Sequence, residues 1–293
     1  MGTYPSMTHI LSGGYEYSNK VTIGQWFHDA WTSDTCKNFY ATLKEYGYST
    51  YLYAVAPVNL GIKSETLSYF ANEVRKSDYE GTYTKAATGK SFGTRVAEGL
   101  TVVPGKRFII QHLSAMHEPS YEIDEDGVLT VQNNSDVEWL NITKEYLAQL
   151  KAAGVYDNST IIICGDHGVK NQDYLQPVFL IKEAGKTGTK LKTTNAPASH
   201  CELPATILKN IGVPDSKLPG KTIYDFKKDE ERERSFYLNR YNKRYAKRVK
   251  YNGRGEGSHN VWWIYTYTGD SSDLKKEFLR KRYKEIRMNQ SFN

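Results

Sequence analysis

The sequence predicts an α/β fold, a sandwich of helices and strands followed by a small C-terminal subdomain, and three observations carry that expectation. Short β-branched or aromatic runs alternate with segments of helical apolar spacing, the pattern of α/β domains. One of those runs, Thr160-Ile161-Ile162-Ile163-Cys164, stops at Gly165-Asp166-His167-Gly168, so an aspartate and a histidine stand at a strand's carboxyl end, where open α/β sheets place ligand sites. Beyond Gly220 the texture changes to basic and aromatic residues. Residues 1–220 are therefore expected to form one domain and 221–293 a C-terminal subdomain.

From the start, Thr3 to Gly14 is expected to be a Pro- and Gly-bounded loop running into a short apolar stretch. Asp34 to Gly47 is expected to be a helix: Asp34 can cap it, Phe39 and Leu43 share a face, and Gly47 can end it. Tyr51 to Val55 follows as a strand, Ser64 to Lys76 as a second helix, and Tyr79 to Lys90 as a polar loop. Arg107 to Ser114 contains Phe108-Ile109-Ile110, a candidate central strand, and the acidic segment Glu118 to Asn134 is expected to be irregular. Ser135 with Glu138 makes a capping box for a helix to about Ala153, with Val137, Leu140, Leu147 and Leu150 as its apolar stripe. The Thr160 to Cys164 run is expected to be a buried strand of a parallel sheet, and Pro177 to Ile181 another strand. Glu202 to Asn210 is expected to be a helix closed by Gly212 and Pro214, Val261 to Thr268 a β-rich run, and Ser272 to about Arg287 a basic helix. No internal repeat is visible.

Hydrophobic residues make up 39% of the 293 and charged ones 25%, which excludes a disordered chain and allows a sizeable core. The 23 tyrosines suit sugar- or glycerol-rich ligands and equally suit half-buried strand surface. Cys36, Cys164 and Cys201 are widely spaced and make neither a disulfide framework nor a CxxC zinc pattern. No apolar stretch reaches the ~20 residues that cross a bilayer. The net charge of +6 is concentrated late: Lys227 to Lys250 holds ten Lys/Arg against four acids, and Lys275 to Arg287 seven against two. Such runs are either solvated helix faces or a surface for anionic phospholipid or polymer. No nucleic-acid-binding module accompanies them, so nucleic acid is not expected as a partner.

Asp166 and His167 by themselves fit either a divalent metal such as zinc or manganese or a hydrogen-bonded pair at a strand end. Three further histidine-bearing segments add to them. Thr3-Tyr4-Pro5-Ser6-Met7-Thr8-His9-Ile10-Leu11-Ser12-Gly13 opens the chain, His112-Leu113-Ser114-Ala115-Met116-His117-Glu118-Pro119 follows a strand, and Pro197-Ala198-Ser199-His200-Cys201-Glu202-Leu203-Pro204-Ala205-Thr206-Ile207-Leu208 leads into a helix. In order and spacing the set resembles the sulfatase branch of the alkaline phosphatase superfamily, and most of all the phosphoglycerol and phosphoethanolamine transferases typified by lipoteichoic acid synthase. The likeness spans roughly Thr3 to Gly220 and implies a three-layer α/β/α sandwich of alkaline phosphatase type.

That resemblance implies a role for each matched residue. Thr3 stands where the family has its nucleophile. Sulfatases have cysteine or serine there, followed by Pro-Ser-Arg, whereas this chain has Met7 in place of the arginine. A threonine resembles the phospho-transferases and phosphodiesterases and disfavours sulfate esters. A hydroxyl is a poor nucleophile at its free pKa, and a divalent ion gives it alkoxide character. Asp166 and His167 would hold that ion together with Thr3. His200 looks like a second-site metal ligand or a phosphate contact, with Glu202 where some members have aspartate. His117 resembles the histidine that touches the transferred group or the leaving oxygen, and a general acid suits that place. His112, earlier on the same segment, is expected to be structural, and His9 has no such context.

The implied cofactor is one or two divalent metal ions, zinc or manganese. The implied substrate is a phospholipid head group or another phosphate ester, and the acceptor a glycan or lipid hydroxyl, with an anionic membrane surface as a further partner. Family members carry an acidic ligand and membrane helices upstream of the nucleophile, whereas here Thr3 is the third residue. The chain is accordingly expected to be the C-terminal portion of a longer, membrane-anchored protein, or one that lost its beginning, and to work outside the cytoplasmic membrane in the cell envelope. Three activities stay open at this level: transfer of a phosphoglycerol- or phosphoethanolamine-type group, hydrolysis by a phosphodiesterase, phosphatase or sulfatase-like enzyme, and an inactive glycan-binding domain.

Overall fold

The computed structural model describes residues 3–16, 23–54, 73–76, 105–112, 121–123, 129–131, 135–166, 177–186, 188, 190–194, 196–228, 230, 234–241 and 260–267. They form a mixed α/β structure of helices with small sheets of two or three strands.

Helix α1 spans Thr3–Leu11, where a loop was expected. Pro5 does not oppose it, because the first four N–H groups of a helix have no intrahelical partner and Pro lacks only such a group. Its end is closed by Gly13 and Gly14, at φ 78° and 92°, whose N–H groups reach the carbonyls of Ile10 and His9 at 3.2 and 2.8 Å. Helix α2 (Ile23–Thr32) packs on both α1 and α3 (Asp34–Glu45). Ser33, not Asp34, caps α3 by accepting from the Cys36 N–H at 3.1 Å, and Asp34 is instead exposed in the first turn. Phe39 and Leu43 share the buried face as expected, and Gly47 at φ 81° turns the chain out of the helix.

Strand β1 (Tyr48–Ala54) lies between β2 (Glu73–Lys76) and β3 (Lys106–Gln111), both parallel to it. Two expectations change here. The end of the expected Ser64 to Lys76 helix is strand, because backbone pairing with β1 outweighs the helix preference of Glu, Arg and Lys; residues 64–72 lie outside the described residues. The central place in these three strands belongs to β1 rather than to the Phe108-Ile109-Ile110 strand. Two short strands, β4 (Tyr121–Ile123) and β5 (Leu129–Val131), pair antiparallel in the segment expected to be irregular. Asp126-Gly127 between them is a hairpin-turn sequence that the acidic composition obscured.

Helix α4 (Ser135–Ala152) starts at the expected serine. Of its stripe, Leu150 is buried and Leu140 is 57% exposed, so the packed face is narrower than the spacing implied. Strand β6 (Ile161–Cys164) is half-buried and pairs antiparallel with β7 (Phe179–Lys182), which corrects the expectation of a buried parallel strand. An apolar β-branched run fits either direction, and the partner decides. A 3-10 turn, His200–Glu202, leads into helix α5 (Leu203–Asn210), and Gly212 at φ 95° follows it as expected. Strands β8 (Arg234–Tyr241) and β9 (Asn260–Tyr267) form an antiparallel pair in the aromatic C-terminal region. The expected basic helix from Ser272 lies outside the described residues.

One core joins α1, α3, β1 and α5 through Met7, Leu11, Phe39, Leu43, Leu52 and Leu208, with Phe108 and Ile110 of β3 packed against it. Tyr40 donates its hydroxyl to the Leu11 carbonyl at 2.8 Å, which ties α3 to the end of α1. Among the described residues no helix is long and apolar enough to cross a membrane.

Candidate functional site

Helix α1 buries polar side chains: Ser6, Thr8 and Ser12 are within 1% of full burial, and His9 is 4% exposed. His9 Nδ1 lies 2.8 Å from the Tyr15 carbonyl. A carbonyl only accepts, so Nδ1 carries the proton and Nε2 the lone pair of the neutral ring. Burial lowers the His9 pKa to about 4; the Tyr15 carbonyl opposes the shift and the neighbouring His200 adds to it. His9 is thus neutral at ordinary pH and stands beside His200.

His200 is placed by a reciprocal cap. The Ser199 hydroxyl accepts from the Cys201 N–H at 3.3 Å, while Glu202 Oε2 accepts from the Ser199 N–H at 2.7 Å and from its hydroxyl at 2.8 Å. Such a cap contributes about 1 kcal/mol to its helix end. Thr206, fully buried, donates to the Glu202 carbonyl at 2.7 Å and accepts from the Ile223 N–H at 3.1 Å, which fastens the start of α5 to the chain beyond it. The His200 ring lies 6.5 Å from the ring of Phe179, centroid to centroid. Phe179 pairs directly with Cys164, and the Gly165 N–H donates to the Val178 carbonyl at 3.0 Å. Asp166, two residues past Cys164, and His200 therefore lie toward the same end of the β6–β7 pair.

His112 follows directly on β3. Burial lowers the His112 pKa and the Asp166 carboxylate partly restores it. The Cys164 thiol is pushed up to about 11 by burial and by Asp166, so the thiol is protonated at neutral pH.

The sequence-derived site residues divide accordingly. Asp166 and His200 share one end of β6–β7, and His200 touches α1 through His9. Thr3 is the first residue of α1, six positions before His9, a rise of about 9 Å; the structure describes Thr3 by its backbone. His117 and His167 lie outside the described residues. Among the described residues no three His, Cys, Asp or Glu side chains gather into a group able to hold a metal ion. Two histidines that the sequence reading set aside, His9 and His112, turn out to adjoin the two that it selected. The available signal was polarity: Ser6, Thr8, His9 and Ser12 interrupt the apolar face of α1, and His112 ends an apolar strand. Neither a protein-family model nor a curated protein matches the chain.

Proposed function

We propose that the chain is the catalytic portion of a metal-dependent phospho-transferase, built on a three-layer α/β/α sandwich with the basic subdomain 221–293 appended. The observation that supports this reading is that Thr3's helix adjoins His200, which lies toward the same end of β6–β7 as Asp166. Thr3 opens α1, a helix with no acidic residue in its first turn, so the positive end of the helix dipole favours an anionic phosphoryl group there. The same helix carries His9, which adjoins His200, and His200 shares the β6–β7 end with Asp166.

The donor set fits a divalent cation, because a carboxylate and neutral imidazoles suit zinc or manganese. Asp166, His167 and Thr3 would hold it, with His200 at a second ion or on the phosphate, and it would supply charge neutralisation and a lowered hydroxyl pKa. The Thr3 hydroxyl gives its proton to water and attacks phosphorus, the bond from phosphorus to the diacylglycerol oxygen breaks, and His117 protonates that oxygen. In the second half the deprotonated His117 takes the proton of an acceptor hydroxyl, that oxygen attacks the phospho-threonine, and the Thr3–phosphorus bond breaks. A proton from water returns to the Thr3 oxygen, and the phosphoryl-alcohol group passes to a glycan or lipid. The basic C-terminal runs lie against anionic lipid, and the work takes place in the cell envelope.

Incubation of the protein with Mn2+ and a head-group-labelled phospholipid tests this. A label bound to Thr3, located by peptide mass spectrometry, is the expected result, and Thr3→Ala is expected to abolish it. A covalent label that survives Thr3→Ala would overturn the assignment. Product analysis with and without a glycan acceptor then separates transfer from hydrolysis.

A further inference from the structure

We propose that the turn at residues 156–159 is a seat for a monovalent cation of ammonium size, which the chain fills with the side chain of its own Lys182. Lys182 Nζ donates to the carbonyls of Tyr156, Asp157 and Ser159 at 2.6, 2.9 and 2.9 Å. An ammonium has three protons to give, so each of them has an acceptor here. The Tyr156 ring adds a further wall, its centroid 4.6 Å from Lys182 Nζ, and Lys151 Nζ lies 4.8 Å from the same centroid. A ring face and convergent oxygen dipoles together replace the water that a cation gives up. That replacement is needed, because burial lowers the Lys182 pKa and the Asp157 charge opposes the shift.

Other bonds fix the shape of the seat. The Val155 and Tyr156 N–H groups donate to the Leu150 carbonyl, each at 3.1 Å, and the Ser159 hydroxyl donates to the Val155 carbonyl at 2.8 Å. The Ser159 N–H closes the turn on the Tyr156 carbonyl at 3.2 Å, and the Gly185 N–H holds the Asp157 carbonyl at 2.7 Å. Carbonyls held by the backbone in this way converge before a cation arrives, so little ordering is needed to bind one. Lys182 is the last residue of β7 and pairs with Ile161, the first of β6. The cation therefore latches the turn that enters β6 to the end of β7, at the far end of the pair from Cys164 and Phe179. The seat is independent of the phospho-transfer reading and of any divalent ion.

The experiment is hydrogen exchange of the β6 and β7 amides in the full chain, in methylammonium, potassium or tetramethylammonium chloride at one ionic strength. Methylammonium carries the group that Lys182 places in the seat, potassium is of similar size, and tetramethylammonium has no N–H to give. Lys182→Ala is expected to speed exchange about tenfold or more, from the lost bonds to a charged donor. Methylammonium is expected to restore most of that protection, potassium part of it and tetramethylammonium none. The wild type, its seat filled, is expected to respond to none of the three. Lys182→Met keeps the stem without the charge, and is expected to exchange fast and resist rescue because its thioether stays in the cation's place. Methylammonium and potassium that protect Lys182→Ala no better than tetramethylammonium overturn the inference. If Lys182→Ala does not fold, 15N-resolved NMR of the wild type decides. Lys182 Nζ protons that exchange with water slowly and couple to the three carbonyls support the seat, and protons that exchange as fast as those of the exposed Lys186 overturn it.

Discussion

His9 illustrates how one residue's environment reverses its expected behaviour. It sits on α1 with its Nδ1 proton held by the Tyr15 carbonyl, and burial lowers its pKa from 6.5 to about 4. The sign follows from linkage: between those values the unfolded chain binds a proton that the folded chain refuses. Stability is then complete above about pH 6.5 and falls as pH drops toward 4. The loss amounts to about 3 kcal/mol, from the 1.36 kcal/mol per pKa unit that links the two states. Urea denaturation of chelated protein at several pH values is expected to show this acid limb in the wild type and a flatter one in His9→Gln; equal slopes would contradict the assignment. The polar run Ser6, Thr8, His9 and Ser12 was the one local sign of His9, and its burial comes from partners distant in the chain, α2 and the His200–Glu202 turn among them. Asp166 was legible from a local pattern, a strand end, whereas His200 was singled out by the resemblance of its segment to a family motif, and the Ser199–Glu202 cap that places it is seen only in the structure.

At the scale of elements, the join between α1 and α3 sets where His9 and Thr3 stand. Gly13 makes that join possible. At φ 78° it occupies a backbone region that side chains disfavour, and a Cβ there would lie 2.9 Å from Phe39 Cβ and 3.2 Å from the Thr35 carbonyl oxygen. Gly13→Ala is expected to cost more than the 1–3 kcal/mol of positive-φ strain alone. Gly185→Ala, at φ 73° with nothing within 4 Å, is the matched control that carries only the strain. Chemical denaturation that ranks the two variants equally would show that the α1–α3 contact is not tight. Helices α3 and α4 were readable in advance because caps and i, i+3, i+4 spacing are local properties. Helix α1 was not, because Pro5 and two glycines resemble a loop until the proline is counted within a first turn that needs none of its N–H groups.

For the whole molecule, charge is unevenly distributed, with a net +6 concentrated in residues 227–250 and 275–287. Each Lys or Arg near an anionic bilayer contributes about 1 kcal/mol, screened beyond roughly 8 Å at physiological salt. Sedimentation with phosphatidylglycerol vesicles is expected to exceed that with neutral vesicles several-fold at low salt and to fall steeply as salt rises; equal partitioning would remove the membrane-facing role from these runs. The sequence by itself determined the α3 and α4 helices, the β3, β6 and β7 strands, the closing Gly212 and the placing of Asp166 at a strand end. All of these depend on spacing, capping or turn residues within a few positions of one another. Only the tertiary structure decided that Glu73–Lys76 is a strand, that β6 runs antiparallel to β7, that Leu140 faces solvent, and that His9 and His112 adjoin His200 and Asp166. Strand direction, burial and the neighbours of a titrating group are set by segments far apart in the chain, whose meeting no local pattern encodes.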